Sequence, residues 1–118
     1  MSLVGGLGGE SFPLFSEATK KKVKLYVDDV RTPPAGWVLA RTVKEAIATL
    51  DAGGVTEVSL DFFIGEGEGG TFLPVAHHIA EMPKDRRPKR ARLHTASSAG
   101  AARLAAALKN VVEVDLFE

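Results

Sequence analysis

Asp28 and Asp29 stand side by side in YVDDVR, Asp61 closes the stretch SLD, and RLHTASS carries His94, Thr95, Ser97 and Ser98. These are the residues whose types could do chemistry. Carboxylates joined by a backbone carbonyl are hard oxygen donors suited to Mg²⁺, which keeps several waters and meets phosphate readily. The Thr95 hydroxyl and the amides of residues 96–98 could face a phosphate oxygen, and a helix beginning near Ser98 would direct its positive end to the same place. An aspartate at a strand end is also ordinary turn chemistry. The case for a site therefore rests on convergence, not on any one residue.

Convergence requires neighbouring strands. Val23–Val27 is a short apolar run that reads as a buried strand, and Trp37–Ala40 is a weaker second one. Thr42-Val-Lys-Glu45 has the capping-box pattern, and Val43, Ala46, Ile47 and Leu50 follow at helical spacing until Gly53-Gly54. Val55–Leu60 reads as a strand, EGEGG at 66–70 as a polar loop, and Thr71–Met82 as a helix with Pro74 in its first turn. Ala91–His94 reads as a strand, Ser98–Lys109 as an Ala/Leu-rich helix, and Val111–Phe117 as a closing strand. Alternating strands and helices predict βαβ units and a mainly parallel sheet covered on both faces. In such a sheet, ligands sit beyond the carboxyl ends of the strands, where Asp28, Asp29, Asp61, His94 and Thr95 all fall. One connection is short: eight residues separate Asp29 from Val38. A crossover containing a helix needs about 10–12 or more, so one face should lack a helix there, with Trp37, Pro33-Pro34 and the N-terminal tail as fillers.

The bulk properties allow one domain at 118 residues, with residues 1–22 as a flexible or loosely docked tail and 23–118 as the domain. A net charge of zero argues against a general nucleic-acid or membrane binder. No cysteine means no disulfide framework and no thiolate chemistry, which suits a cytoplasmic location. The apolar runs are too short to span a bilayer, and the N-terminus lacks a basic segment ahead of its apolar part.

KDRRPKRAR, residues 84–92, holds six basic residues against one acidic. It reads as a solvated loop, with a nucleic-acid contact patch as the alternative. His77 and His78 diverge by about 100° on a helix and cannot easily share a metal, so His78 reads as a packing or interface residue. The Gly-rich loop lacks the Lys-Ser/Thr of a phosphate-binding loop, and its glutamates would repel phosphate. Ala101–Ala107 is small-residue packing that could also serve an oligomer face.

Taken together, YVDDVRTPPAGW, TVKEAI, SLDFFIG and LHTASSAG resemble the motifs of the cyclic-phosphate processing receiver domains, a family derived from response-regulator receivers. The resemblance implies a receiver-like, flavodoxin-like α/β fold: a five-stranded, mostly parallel sheet of order 2-1-3-4-5 with the first helix missing. It implies Asp28, Asp29, Asp61 and the Phe63 carbonyl as a Mg²⁺ site, and Arg31 as a phosphate-facing cation. It also implies Asp61, His94 and Thr95 as catalytic groups, with Ser97 and Ser98 beside the phosphate. The chain departs from the pattern at three places. Phe62-Phe63 replaces a His-Asp pair, Ser97 replaces an asparagine, and the final strand lacks the receivers' lysine. The expected function is therefore a divergent Mg²⁺-dependent site that binds or hydrolyses cyclic phosphates or other phosphoesters. The alternatives are a catalytically degenerate signalling module that binds a partner protein, and nucleic-acid association through residues 84–92. The expected partners are a phosphate-containing small molecule or a protein, with a homo-oligomer as a further option.

Overall fold

The computed structural model describes residues 22–64 and 70–116, so the expectations for the N-terminal tail and for nearly all of the EGEGG loop lie outside it. The element order is β1 (Val23–Val27), β2 (Trp37–Ala40), α1 (Val43–Ala52), β3 (Val55–Leu60), α2 (Leu73–Glu81), β4 (Arg90–Leu93), α3 (Ser98–Leu108) and β5 (Glu113–Leu116). The five strands pair in parallel in the order β2-β1-β3-β4-β5. This is the receiver-like topology, without a helix between β1 and β2.

Local chemistry sets the boundaries. The Thr42 hydroxyl accepts from the Glu45 amide at 3.0 Å, while the Glu45 carboxylate reaches back past the cap to the Arg41 amide at 2.8 Å. Ser97 caps α3 by accepting from the Gly100 amide at 2.9 Å. The chain turns out of that helix through Asn110, whose φ of 64° is a left-handed conformation that asparagine tolerates. The turn uses Val111 and Val112, so β5 starts two residues later than the apolar run suggests. β4 starts at Arg90 and leaves His94 just beyond its end, although the His94 amide still donates to the Leu60 carbonyl at 2.9 Å.

One face of the sheet presents Leu25, Val27, Ala40, Val58, Leu60, Ala91 and Leu93, all buried. α1, α2 and α3 pack side by side against it through Ala46, Leu50, Val75, Ala76, Ile79, Leu104 and Leu108. The opposite face carries two cross-strand rows, Trp37–Lys24–Glu57–Arg90–Glu113 and Leu39–Tyr26–Ser59–Arg92–Asp115. Ion pairs tie these rows together, Arg92–Glu57 at 3.5 Å and Arg90 to Glu113 and Asp115 at 3.1 and 3.0 Å. Among the described residues no helix lies on this face, which corrects the expectation of a sheet covered on both sides. The period-two alternation of charged and apolar residues in β4 and β5 is the pattern of strands with one wet face.

The helix-free connection, residues 28–36, closes through a turn in which the Trp37 amide donates to the Pro34 carbonyl at 3.2 Å. The Arg41 guanidinium pins it by donating to the carbonyls of Asp28 and Arg31, at 3.4 and 3.0 Å. Trp37 then folds back over the sheet, edge-on to Tyr26 at 6.2 Å, with Lys24 and Arg92 over its ring. Among the described residues no helix is long and apolar enough to cross a membrane.

Candidate metal and phosphate site

Two backbone hydrogen bonds fix the acidic residues at adjacent strand ends. The Asp28 amide donates to Ala40 at 3.1 Å and the Asp61 amide to Val27 at 3.0 Å. Asp28 is completely buried. Its Oδ1 accepts from the amides of Val30 and Arg31 at 2.9 and 3.0 Å, and its Oδ2 lies 2.9 Å from His94 Nε2. His94 is 3% exposed, stacked on Tyr26 at 4.5 Å, with Nδ1 2.7 Å from the Ser59 hydroxyl. An ionised Asp28 can only accept, so Nε2 carries the proton and Ser59 donates to Nδ1. Both ring nitrogens are thus bonded to protein, and His94 lies on the floor of the site as the group that orients Asp28.

Asp61 is half-buried. Its Oδ1 accepts from the Phe62 amide at 2.7 Å, and the Thr95 hydroxyl donates to the same carboxylate. Thr95 in turn accepts from the Ser97 amide at 3.1 Å. Oxygen or nitrogen atoms of Asp28, Asp61 and His94 lie within 4.8 Å of one another. Above them opens a cleft of about 640 Å³ lined by Asp29, Val30, Arg31, Asp61, Phe63, Thr95, Ala96 and Ser97. Arg31 donates to the His94 carbonyl at 3.1 Å, and its Nε lies 3.8 Å from Asp28 Oδ2.

The pKa values of the three titratable groups are pushed apart. Burial opposes the Asp28 charge, but the Arg31 and Val30 amides and the His94 contact outweigh it, so its pKa is lowered. Burial raises that of Asp61, and the neighbouring Asp28 charge adds to the effect against the Phe62 amide. Burial lowers that of His94, keeping it neutral in spite of Asp28. The site is a fully bonded aspartate whose charge its partners favour, beside a second carboxylate whose charge is opposed by burial and by its neighbour.

Phe62 and Phe63, adjacent in sequence, go to opposite places. Phe62 is buried against α3 and Phe63 is 54% exposed on the rim of the cleft. The antiparallel bridge Phe63–Thr71 is closed by the Phe62 carbonyl and the Ile64 amide, so the Phe63 carbonyl takes no part in it. Of the residues expected at the site, the cleft gathers Asp29, Arg31, Asp61, Phe63, Thr95 and Ser97. Asp28 and His94 lie beneath it. The Ser97 hydroxyl is used as the α3 cap, and Ser98 is exposed and not part of the lining.

Three participants escaped sequence reasoning: Ser59, Tyr26 and Arg41. Ser59 carried a signal, as a polar residue two positions before Asp61 in a buried strand and hence on the same side of the chain. Away from the site, four of the six basic residues of 84–92 are used internally. Arg86 donates to the Asp51 carbonyl and Arg87 to Met82, while Arg90 and Arg92 join the ion pairs of the wet face. His78 pairs with Asp51 at 2.7 Å and ties α2 to α1.

Residues 23–110 match the sequence profile of a family described as the Cyclic-phosphate processing Receiver domain. No curated protein matches the chain.

Proposed function

The chain belongs to the cyclic-phosphate processing receiver domain family, and we propose that its carboxyl-end cleft binds a divalent cation, Mg²⁺ foremost, together with a phosphate ester. Cyclic phosphates are the class that the family's description names, and their hydrolysis is the reaction proposed. The observation that carries this reading is the charge imbalance. Carboxylate atoms of Asp28 and Asp61 lie within 4.8 Å of each other, Asp29 and Asp61 line the cleft, and among the described lining residues Arg31 is the one cationic side chain. A phosphate would be repelled from such a cleft unless a cation were bound there first.

The donor set suits Mg²⁺. Asp29, Asp61 and the Phe63 carbonyl would be its hard oxygen ligands, from residues that line the cleft, and they are few enough to leave room for retained waters. Asp28 and His94, already bonded to protein, would hold the negative field beneath. When bound, Mg²⁺ supplies charge neutralisation and polarisation of a phosphate oxygen. Arg31 and the Ala96–Ser97 edge of the cleft would orient the phosphate. Asp61, whose charge burial and Asp28 oppose, would be the carboxylate that a bound cation stabilises most directly.

The test is thermal unfolding in Mg²⁺ or Mn²⁺. Metal at about a hundredfold above its Kd stabilises by roughly 2.7 kcal/mol, and Asp61→Asn should abolish the gain. A melting curve that stays still at millimolar metal overturns the reading.

A further inference from the structure

We propose that the phosphate ester taken by this cleft carries a flat, apolar ring, and that Phe63 is the residue that selects it. The inference rests on the cation-and-phosphate reading above and names the rest of the ligand. Large apolar side chains exposed among the described residues are Val30 at 72%, Val38 at 46% and Phe63 at 54%. Two of these three line the one cleft that holds the carboxylates. Scattered exposed apolar residues need no explanation, but their concentration at the mouth of a polar site marks a binding surface. The volume points the same way. A space of about 640 Å³ is far larger than an inorganic phosphate needs, and lies within the roughly 300–1,000 Å³ typical of organic ligands.

Phe63 is also held in place. The buried Phe62 ring meets it edge-to-face at 4.9 Å, and the bridge to Thr71 fixes its backbone. A braced aromatic with one open face is a stacking platform, because it gains contact without losing rotamer freedom on binding. The polar end of the ligand would lie against Arg31, Thr95 and the cation ligands, and its ring would lie on Phe63 with Val30 beside it. An aryl phosphate or a nucleoside phosphate meets this description, whereas a phosphorylated aliphatic chain does not use the platform.

The experiment compares phenyl phosphate, adenosine monophosphate and methyl phosphate by calorimetric titration in saturating Mg²⁺. Stacking on an aromatic should make the ring-bearing esters tighter by about five- to a hundredfold. The readout is the ratio of affinities, which Phe63→Ala should collapse toward one and Phe63→Tyr should retain. Because Phe63 is exposed, neither substitution threatens the fold. If all three esters bind equally to the native protein, or if Phe63→Ala keeps the ratio, the ring proposal is overturned while phosphate binding stands. Equal binding is also what a Phe63 that serves a protein partner would give. If none binds, the cation-and-phosphate reading has failed and the ring proposal falls with it.

Discussion

Replacing Gly100 by alanine should destabilise the protein, although alanine is the better helix former. Gly100 is the third residue of α3, and a Cβ there would lie 2.5 Å from Phe62 Cγ, 2.6 Å from Cδ2 and 2.8 Å from Cβ. Comfortable carbon contacts begin near 3.5 Å, so the overlap is on the order of 1 Å. Rotating the Phe62 ring cannot relieve it, since Phe62 Cβ is fixed to the strand end. α3 would have to move away from β3. Overpacking of this kind costs about 1–3 kcal/mol, and the propensity gain returns at most about 1 kcal/mol. An overlap of about 1 Å belongs in the upper half of that range, about 2–3 kcal/mol, so the net loss should be about 1–2 kcal/mol, or a melting temperature lower by roughly 4–8 °C for each kcal/mol. Urea unfolding followed by helical circular dichroism measures it. A double-mutant cycle makes the test specific. Phe62→Ala alone should cost about 3–5 kcal/mol, and Gly100→Ala added to it should become neutral or stabilising. A Gly100→Ala protein as stable as the native one, with Phe62 in place, would refute the packing described here. The same contact makes Phe62 a core residue, not a member of the site.

Three further outcomes follow from the site. Ser59→Ala removes the donor to His94 Nδ1 inside a buried network and should cost about 1–3 kcal/mol in urea unfolding. His94 has its pKa lowered by burial, so below an unfolded-state pKa near 6.5 the unfolded chain binds a proton that the folded chain resists. Stability should therefore be fully present above that value and fall as pH drops from about 6.5 toward the folded pKa; His94→Gln should remove this part of the pH dependence, read as urea midpoints across the range. Phe63→Asp returns a carboxylate to the cleft mouth and should tighten Mg²⁺ by about fivefold or more, the equivalent of roughly 1 kcal/mol, measured by calorimetry.

Much of the fold could be read from the chain because local chemistry and global packing agree. β1, β2 and β3 coincide with their apolar runs, and Thr42 and Glu45 start α1 as their spacing predicts. The strand-end positions of Asp28, Asp61 and His94 follow directly. The single helical layer was less visible, because a charged residue in Arg90–Leu93 or Glu113–Leu116 reads as a boundary until the register aligns it with its neighbours. The fates of Phe62 and Phe63 depend on how the chain leaves β3 toward α2, where no periodicity speaks. The burial of His94 depends on Tyr26, whose ring stacks on it from another strand. The basic run of 84–92 looked like one feature in the sequence, and the fold divides it into a loop anchor and part of an ion-pair lattice.

If Asp29, Asp61 and Phe63 form the mouth of a cation and phosphate site, amide-resolved NMR of the native chain, titrated with Mg²⁺ and then with a phosphate ester, should locate both ligands there. Saturable shifts are expected at residues 28–31, 61–63 and 95–97, with the ester shifts depending on the metal. Shifts confined to residues 84–89, or ester binding indifferent to Mg²⁺, would contradict that placement.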